Sequence, residues 1–229
     1  MSLRVDLGVC MAHPDDECLA VGAWMADFAA QGKRVSVFLA TAGDAAAHPE
    51  LSSNALGDER LAESRRALAL LGVEAPVCAR LPDGQLSSAG NELELEVTRW
   101  LETCRPKRVV TYGRDGGYGH VDHLVLTTTL LRLAKSHPFE LWQSVFLPGT
   151  FNDLRRFLQR HSPGLLDDGA FDNHSVSPEL TIDREDLFKS KRLALEAYVT
   201  QLQGRSVDDF LGKRAMRELL SAEHFARLY

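Results

Sequence analysis

The chain has 229 residues, 45% of them hydrophobic, which is enough apolar material for one substantial core and predicts one domain over residues 1–229. Its net charge of −6 carries no electrostatic footprint for nucleic acid or an anionic membrane, so neither partner is expected. No apolar run approaches the roughly 20 residues that span a bilayer, and the first residues lack a charged segment followed by an apolar signal core, so a cytoplasmic location is expected.

Val5, Leu7, Val9 and Met11 alternate with smaller or polar residues and predict a first strand, and the run Val35 to Ala40 predicts a second, buried one. Between them Leu19, Gly22, Ala23, Ala26 and Ala29 recur at helical spacing, so residues 18–30 read as a helix closed by Gln31-Gly32. Such a strand, helix, strand unit makes a right-handed parallel crossover. A second helix is expected over 58–71, capped by Asp58 and stopped by Gly72, leading to a short strand over 77–81. Asn91, with Glu94 three positions on as in a capping box, opens a third helix striped by Leu93, Val97, Trp100 and Leu101 and ended by Pro106. Residues 108–112 read as the next strand, 120–135 as a leucine-rich helix and 141–147 as another strand. The stretch from Pro148 to Ser177, with a short helical piece near 153–160, reads as a cap or insertion. Asp183 with Asp186 opens a helix to about Gln203, and 206–220 is helical too. The sum is an α/β fold: a Rossmann-like, mostly parallel sheet flanked by helices, with a small cap in the C-terminal half.

Two clusters carry chemistry. Ala12-His13-Pro14-Asp15-Asp16-Glu17 follows the first strand, and Gly119-His120-Val121-Asp122-His123 follows the strand over 108–112. Both fall where a strand ends and a helix begins, beside the crevice in which open parallel sheets bind ligands. Alone, a His-Pro or Asp-Asp pair is usually a solvated turn and an isolated His-x-Asp-His is a weak signal. Together, with Gly113, Gly116, Gly117 and Gly119 leading into the second cluster, they point to one mononuclear metal site. His13 and Asp16 are ligands that suit zinc, and a catalytic site needs a third, which either His120 or His123 can supply from the same helix face. Asp15 and Asp16 are adjacent and point apart, so one coordinates while the other serves as general base to a water, the chemistry of metal-assisted hydrolysis. His48, His137, His161, His174 and His224 have no such context and read as ordinary surface or core residues. Cys10, Cys18, Cys78 and Cys104 form no Cys-x-x-Cys pair and read as reduced thiols.

The segments Ala-His-Pro-Asp-Asp-Glu and Gly-Tyr-Gly-His-Val-Asp-His resemble the two signature motifs of the LmbE-like, or PIG-L-type, zinc-dependent N-deacetylases. The resemblance extends to Thr41-Ala42-Gly43-Asp44, Arg60 with Glu63, Leu81-Pro82-Asp83-Gly84 and Lys191 with Tyr198 and Gln201. It implies His13, Asp16 and His123 as zinc ligands and Asp15 as general base. It implies His120 as the imidazole that stabilises the oxyanion or protonates the leaving amine, and Asp122 as a residue that orients His120. It implies further that Asp44, Arg60 and Asp83 hold sugar hydroxyls and that Tyr118 stands at the pocket mouth. The expected substrate is a small-molecule amino-sugar conjugate bearing an N-acetyl group, and the products are acetate and a free amino sugar. Zinc and ferrous iron both suit the ligand set. Another metal-dependent hydrolase, an amidase or a two-metal phosphoesterase, fits the same ligands, and a non-catalytic sugar-binding protein is the alternative of a different class. The aglycone has no readable code in the sequence, and a homo-oligomer is compatible with all of these readings.

Overall fold

A seven-stranded sheet organises the chain, seen in a computed structural model that describes residues 4–46, 48, 50–167 and 176–229. The strands are β1 (Leu7–Met11), β2 (Val35–Thr41), β3 (Val77–Leu81), β4 (Arg108–Thr111), β5 (Glu140–Val145), β6 (Leu180–Ile182) and β7 (Glu223–Arg227), in the order β3-β2-β1-β4-β5-β7-β6. The first five run parallel, while β7 pairs antiparallel with β5 and β6 antiparallel with β7. The expected Rossmann-like α/β fold is therefore the observed one.

Helices cover both faces, so β1 is buried along its whole length, as parallel strands between two helical layers are. Its alternation divides the core. Leu7, Val9 and Met11 join the layer under α1 (Asp16–Ala30) and α7 (Glu185–Glu196), whereas Cys10 and Ala12 join the layer under α3 (Gly90–Cys104) and α5 (Val121–Leu133). Sequence order reverses between β1 and β4: the chain leaves β1 toward β2 on one side and later enters β4 on the other. The turns after these two strands carry the two acidic and imidazole clusters, the second through the short α4 (Gly116–Gly119), so topology alone brings residues 12–17 and 112–123 together at the carboxyl edge.

Helix α2 (Ser53–Leu70) starts five residues before the expected cap. Ser52 occupies the N-cap position, and Asp58 lies inside the helix, where it pairs with Arg80 at 2.6 Å. The Asn91–Glu94 capping box is likewise not formed, because α3 already begins at Gly90 and both residues are helical. The helix expected to run to Gln203 breaks after Glu196, and a short α8 (Val199–Leu202) follows. At the break Thr200 gives its N–H (2.7 Å) and its hydroxyl (2.5 Å) to the buried Glu63 carboxylate. The 206–220 segment is a 3₁₀ turn at Val207–Asp209 followed by α9 (Lys213–Leu219). Strands β6 and β7 carry no expectation from periodicity: one is three residues long and the other, Glu-His-Phe-Ala-Arg, has no β-branched residue. Within the cap, α6 (Asn152–His161) forms where a short helix is expected, while residues 168–175, including His174, lie outside the described residues.

Helix α1 is locked from behind. The Lys191 ammonium, with no exposed surface, donates to Leu19 O (2.7 Å) and pairs with Glu223 at 2.8 Å. Glu223 in turn accepts the N–H groups of Ala23 (2.8 Å) and Trp24 (3.0 Å). Gly22 makes room for this contact, since a Cβ there would stand 2.9 Å from Lys191 Cγ.

Candidate active site

The strand-to-helix turn after β1 bends sharply enough to place Asp15 at φ 111°, a left-handed region costly for a residue with a Cβ. The Glu17 carboxylate holds that turn. Glu17 is fully buried and accepts the Asp15 N–H at 3.0 Å, the Ser64 hydroxyl at 2.8 Å and the Tyr198 hydroxyl. Arg60, 5% exposed, closes the turn from the other side by donating to Pro14 O at 2.5 Å and Gly43 O at 2.8 Å, with Asp15 Oδ2 at 3.4 Å. Gly43, at φ 71°, is the residue that permits this, because any Cβ there would run into the Arg60 guanidinium.

Three donor atoms converge in the crevice. His13 Nδ1 is 3.2 Å from Asp16 Oδ2, His123 Nε2 is 3.2 Å from the same oxygen, and the two ring nitrogens are 3.3 Å apart. Ligands of a tetrahedral ion at about 2.0–2.1 Å stand about 3.3–3.4 Å from one another, so this triangle has the edges of one face of such a site. The surroundings choose which atom each ligand presents. His13 Nε2 faces Asp83 Oδ1 at 3.0 Å and Asp122 Oδ2 at 3.3 Å, which makes it the N–H and leaves Nδ1 as the lone pair. His123 Nδ1 donates to Gly116 O at 3.0 Å, leaving Nε2 free to ligate, and its ring stacks on Tyr112 at 4.1 Å. Asp16 receives the Tyr112 hydroxyl on Oδ1 (2.9 Å) and the His13 backbone N–H on Oδ2 (2.9 Å).

The charge balance also fits a cation. Burial pushes the Asp16 carboxyl up, but the adjacent His123 and His13 rings outweigh it and hold it well below the usual carboxylate range. Burial opposes a proton on His13, yet bonding to Asp122, Asp16 and Asp83 raises its pKa well above the ordinary value, so three carboxylates here recruit positive charge. A second grouping of donors, His13 with Asp83 and Asp122, lies within ligand reach of itself, as does His13 with His120 and His123. We favour the His13–Asp16–His123 set, because in it each ring nitrogen opposite the ligand atom has a hydrogen-bond acceptor. Asp15 is pushed up to about 8 by burial, opposed by Arg60. His120, the N-cap residue of α5, accepts the Asp122 backbone N–H on Nδ1 at 3.2 Å. Its other nitrogen therefore carries the proton, and burial together with the His123 and His13 charges depresses its pKa to about 2.

Of the residues singled out in the sequence, His13, Asp15, Asp16, His120 and His123 are brought together here, and Asp15, Asp16, His120 and Tyr118 line one cavity of about 470 Å³. One expectation changes. The Asp122 carboxylate orients His13, not His120, because it points at His13 Nε2 while only its backbone N–H reaches His120. Arg60 donates from its two Nη atoms to the loop carbonyls while its buried Nε has no hydrogen-bond partner among the described residues, and Asp83 faces His13 and accepts the Ala45 N–H at 2.8 Å. Asp44 sits half-buried on the turn after β2, against Gly57. Sequence reasoning gave no role to Tyr112 or Glu17, although Tyr112 directly follows the last residue of β4 and Glu17 closes the first cluster.

A family model described as PIG-L: GlcNAc-PI de-N-acetylase matches residues 9–134, which hold both clusters. The chain is 27% identical, over 270 aligned positions, to a 1D-myo-inositol 2-acetamido-2-deoxy-alpha-D-glucopyranoside deacetylase of Thermobifida fusca (strain YX), covering 95% of this chain and 91% of the relative. Among solved structures, the conserved protein TT1542 of Thermus thermophilus shares the fold with a TM-score of 0.68 at 21% identity, covering 98% of this chain and 95% of that one. An N,N'-diacetylchitobiose deacetylase of Pyrococcus horikoshii does so with a TM-score of 0.68 at 19% identity, covering 97% and 84%. With both clusters inside the matched residues and more than half of the chain covered, the protein belongs to the PIG-L de-N-acetylase family.

Proposed function

We propose that the protein hydrolyses the N-acetyl amide of an N-acetylglucosamine-type conjugate, releasing acetate and the free amino sugar, with one divalent metal held by His13, Asp16 and His123. The observation that carries this is the 3.2–3.3 Å triangle of His13 Nδ1, Asp16 Oδ2 and His123 Nε2 beside Asp15 and His120 on a shared cavity. Zinc and ferrous iron both suit two imidazoles and a carboxylate. Bound there, either supplies a Lewis acid for the acetamido carbonyl and acidifies a water toward a pKa of about 7.

The residues of the chain do the rest. Asp15, on the cavity wall beside Asp16 and His120, takes the proton of the attacking water as its oxygen bonds to the carbonyl carbon. His120 is neutral and presents an Nε2–H, so it donates a hydrogen bond to the developing oxyanion. The C–N bond then breaks and Asp15 returns the proton to the departing nitrogen. Asp122 and Asp83 fix the His13 ring, and Arg60 holds the loop that bears Asp15. Asp44 and Tyr118 are assigned to the substrate, Tyr118 from the cavity wall.

The test is release of free amine from N-acetylglucosamine glycosides by protein stripped of metal and then reloaded with zinc or ferrous iron. Metal-dependent release at one equivalent is expected. Hydrolysis of phosphate esters at two equivalents, with no amine formed, would instead establish a phosphoesterase.

A further inference from the structure

The cavity that holds Asp15, Asp16 and His120 does not end at them. It continues under the cap, and at about 470 Å³ it falls among sites of about 300–1,000 Å³ that enclose ligands larger than one sugar. Helix α6 explains its character. Leu154, Phe157 and Leu158 recur at i, i+3 and i+4, the spacing of a core-facing stripe, yet none of them is buried in the fold and Phe157 is 55% exposed. All three line the cavity, together with Phe146, Phe151 and Leu211. Leu154 leans on the core from its half-buried position, whereas among the described residues no core cluster includes Phe157 or Leu158, so these two present apolar surface to the cavity.

Four of the polar side chains around this chamber are already engaged, and Gln203 adds one amide to the lining. Arg205 donates from Nε to Leu202 O (3.0 Å), from Nη1 to Phe210 O (3.2 Å) and from Nη2 to Gln201 O (3.0 Å). The Asp209 carboxylate accepts from Ser206 at 2.8 Å, Gln201 donates to Thr200 at 3.3 Å, and Asp153 pairs with Arg156. A polyol lodged here would set unpaired hydroxyls against leucine and phenylalanine, an arrangement that disfavours binding.

We propose that the chamber is the aglycone subsite and that it takes an apolar group, alkyl or aryl, on the amino sugar; this rests on the deacetylase reading above. The T. fusca relative is named for an inositol conjugate. This chain is built for a conjugate whose other end carries few hydroxyls. The acetamido group meets Asp15 and His120, and the apolar end lies along α6.

The experiment compares kcat/KM for methyl, hexyl, phenyl and inositol glycosides of N-acetylglucosamine on the metal-loaded full chain, and in parallel the calorimetric Kd of methyl and hexyl glucosaminide. Hexyl and phenyl should exceed methyl and inositol by at least about tenfold, the yield of burying roughly two methylenes. Phe157→Ser, at an exposed position that the fold tolerates, should bring the hexyl-to-methyl ratio close to unity. Equal kcat/KM across the series, or a preference for inositol, overturns the apolar aglycone and leaves the deacetylase standing. No amine from any glycoside, with hexyl glucosaminide still bound about tenfold more tightly than methyl, overturns the deacetylase and upholds the apolar chamber.

Discussion

Replacing Asp122 by asparagine separates the two roles that this carboxylate can play. The side chain is 1% exposed and accepts three donors: Gly84 N–H at 2.7 Å, Leu86 N–H at 3.0 Å and His13 Nε2 at 3.3 Å. The first and third share Oδ2 and the second uses Oδ1, so an amide has one oxygen for donors on both sides. Either rotamer turns an NH₂ toward a buried N–H, at a cost of about 1–3 kcal/mol. For a chain of this length that corresponds to a fall in Tm of about 5 °C. His13 keeps Asp83 but loses its second acceptor, and metal affinity should weaken about 10–100-fold. Competition with a chelating fluorophore measures the affinity, and calorimetry on the metal-free protein measures Tm. If the variant binds metal as tightly as the parent while kcat alone falls, the reasoning from His13 is wrong and Asp122 acts on His120.

Asp15→Asn should bind metal normally and lose deacetylation by about 10²–10⁴, read as amine release alongside metal content. Gly43→Ala should remove activity and lower Tm, because it places a Cβ at φ 71° into the Arg60 guanidinium that spans Pro14 and Gly43; an unchanged thermal unfolding curve would show that the loop simply yields. Lys191→Met leaves the buried Glu223 carboxylate uncompensated and should cost about 3–5 kcal/mol. The double variant with Glu223→Gln should recover a large part of that loss of Tm, and no recovery would mean that the ammonium is not the partner that matters.

The parts of the site that lie in one turn were legible. His13, Asp15 and Asp16 share a strand-to-helix corner, as do His120 and His123, and the order of the strands places the two corners side by side. The supporting contacts were not, because they join segments whose separation in sequence carries no pattern. Asp83 and Asp122 meet on the far nitrogen of His13, and Tyr198 reaches Glu17 from the other end of the chain. Arg60 illustrates the same limit. The family resemblance marks it as functional, but only the fold shows its guanidinium turned inward onto loop carbonyls. Element ends shifted where a capping signal competed with packing, as at Asp58 and Asn91, and the two antiparallel strands escaped notice because β6 has three residues and β7 no β-branched one. The cysteines are free thiols, with Cys10, Cys18 and Cys104 buried and Cys78 half-buried.

The seam between Glu223 and helix α1 makes the last strand of the chain a tether for the first turn of the site. Two amides of the helix that begins at Asp16 are held by a carboxylate from β7, and one of its carbonyls by an ammonium from α7. Whenever β7 separates from β5, Ala23 and Trp24 lose their acceptor, and the helix that presents the metal ligand loosens two turns from Asp16. Hydrogen exchange at those two amides should therefore keep pace with opening of the C-terminal strand rather than with fraying at either end of their own helix. Removing the final strand would disarm an active site to which it contributes no reacting atom.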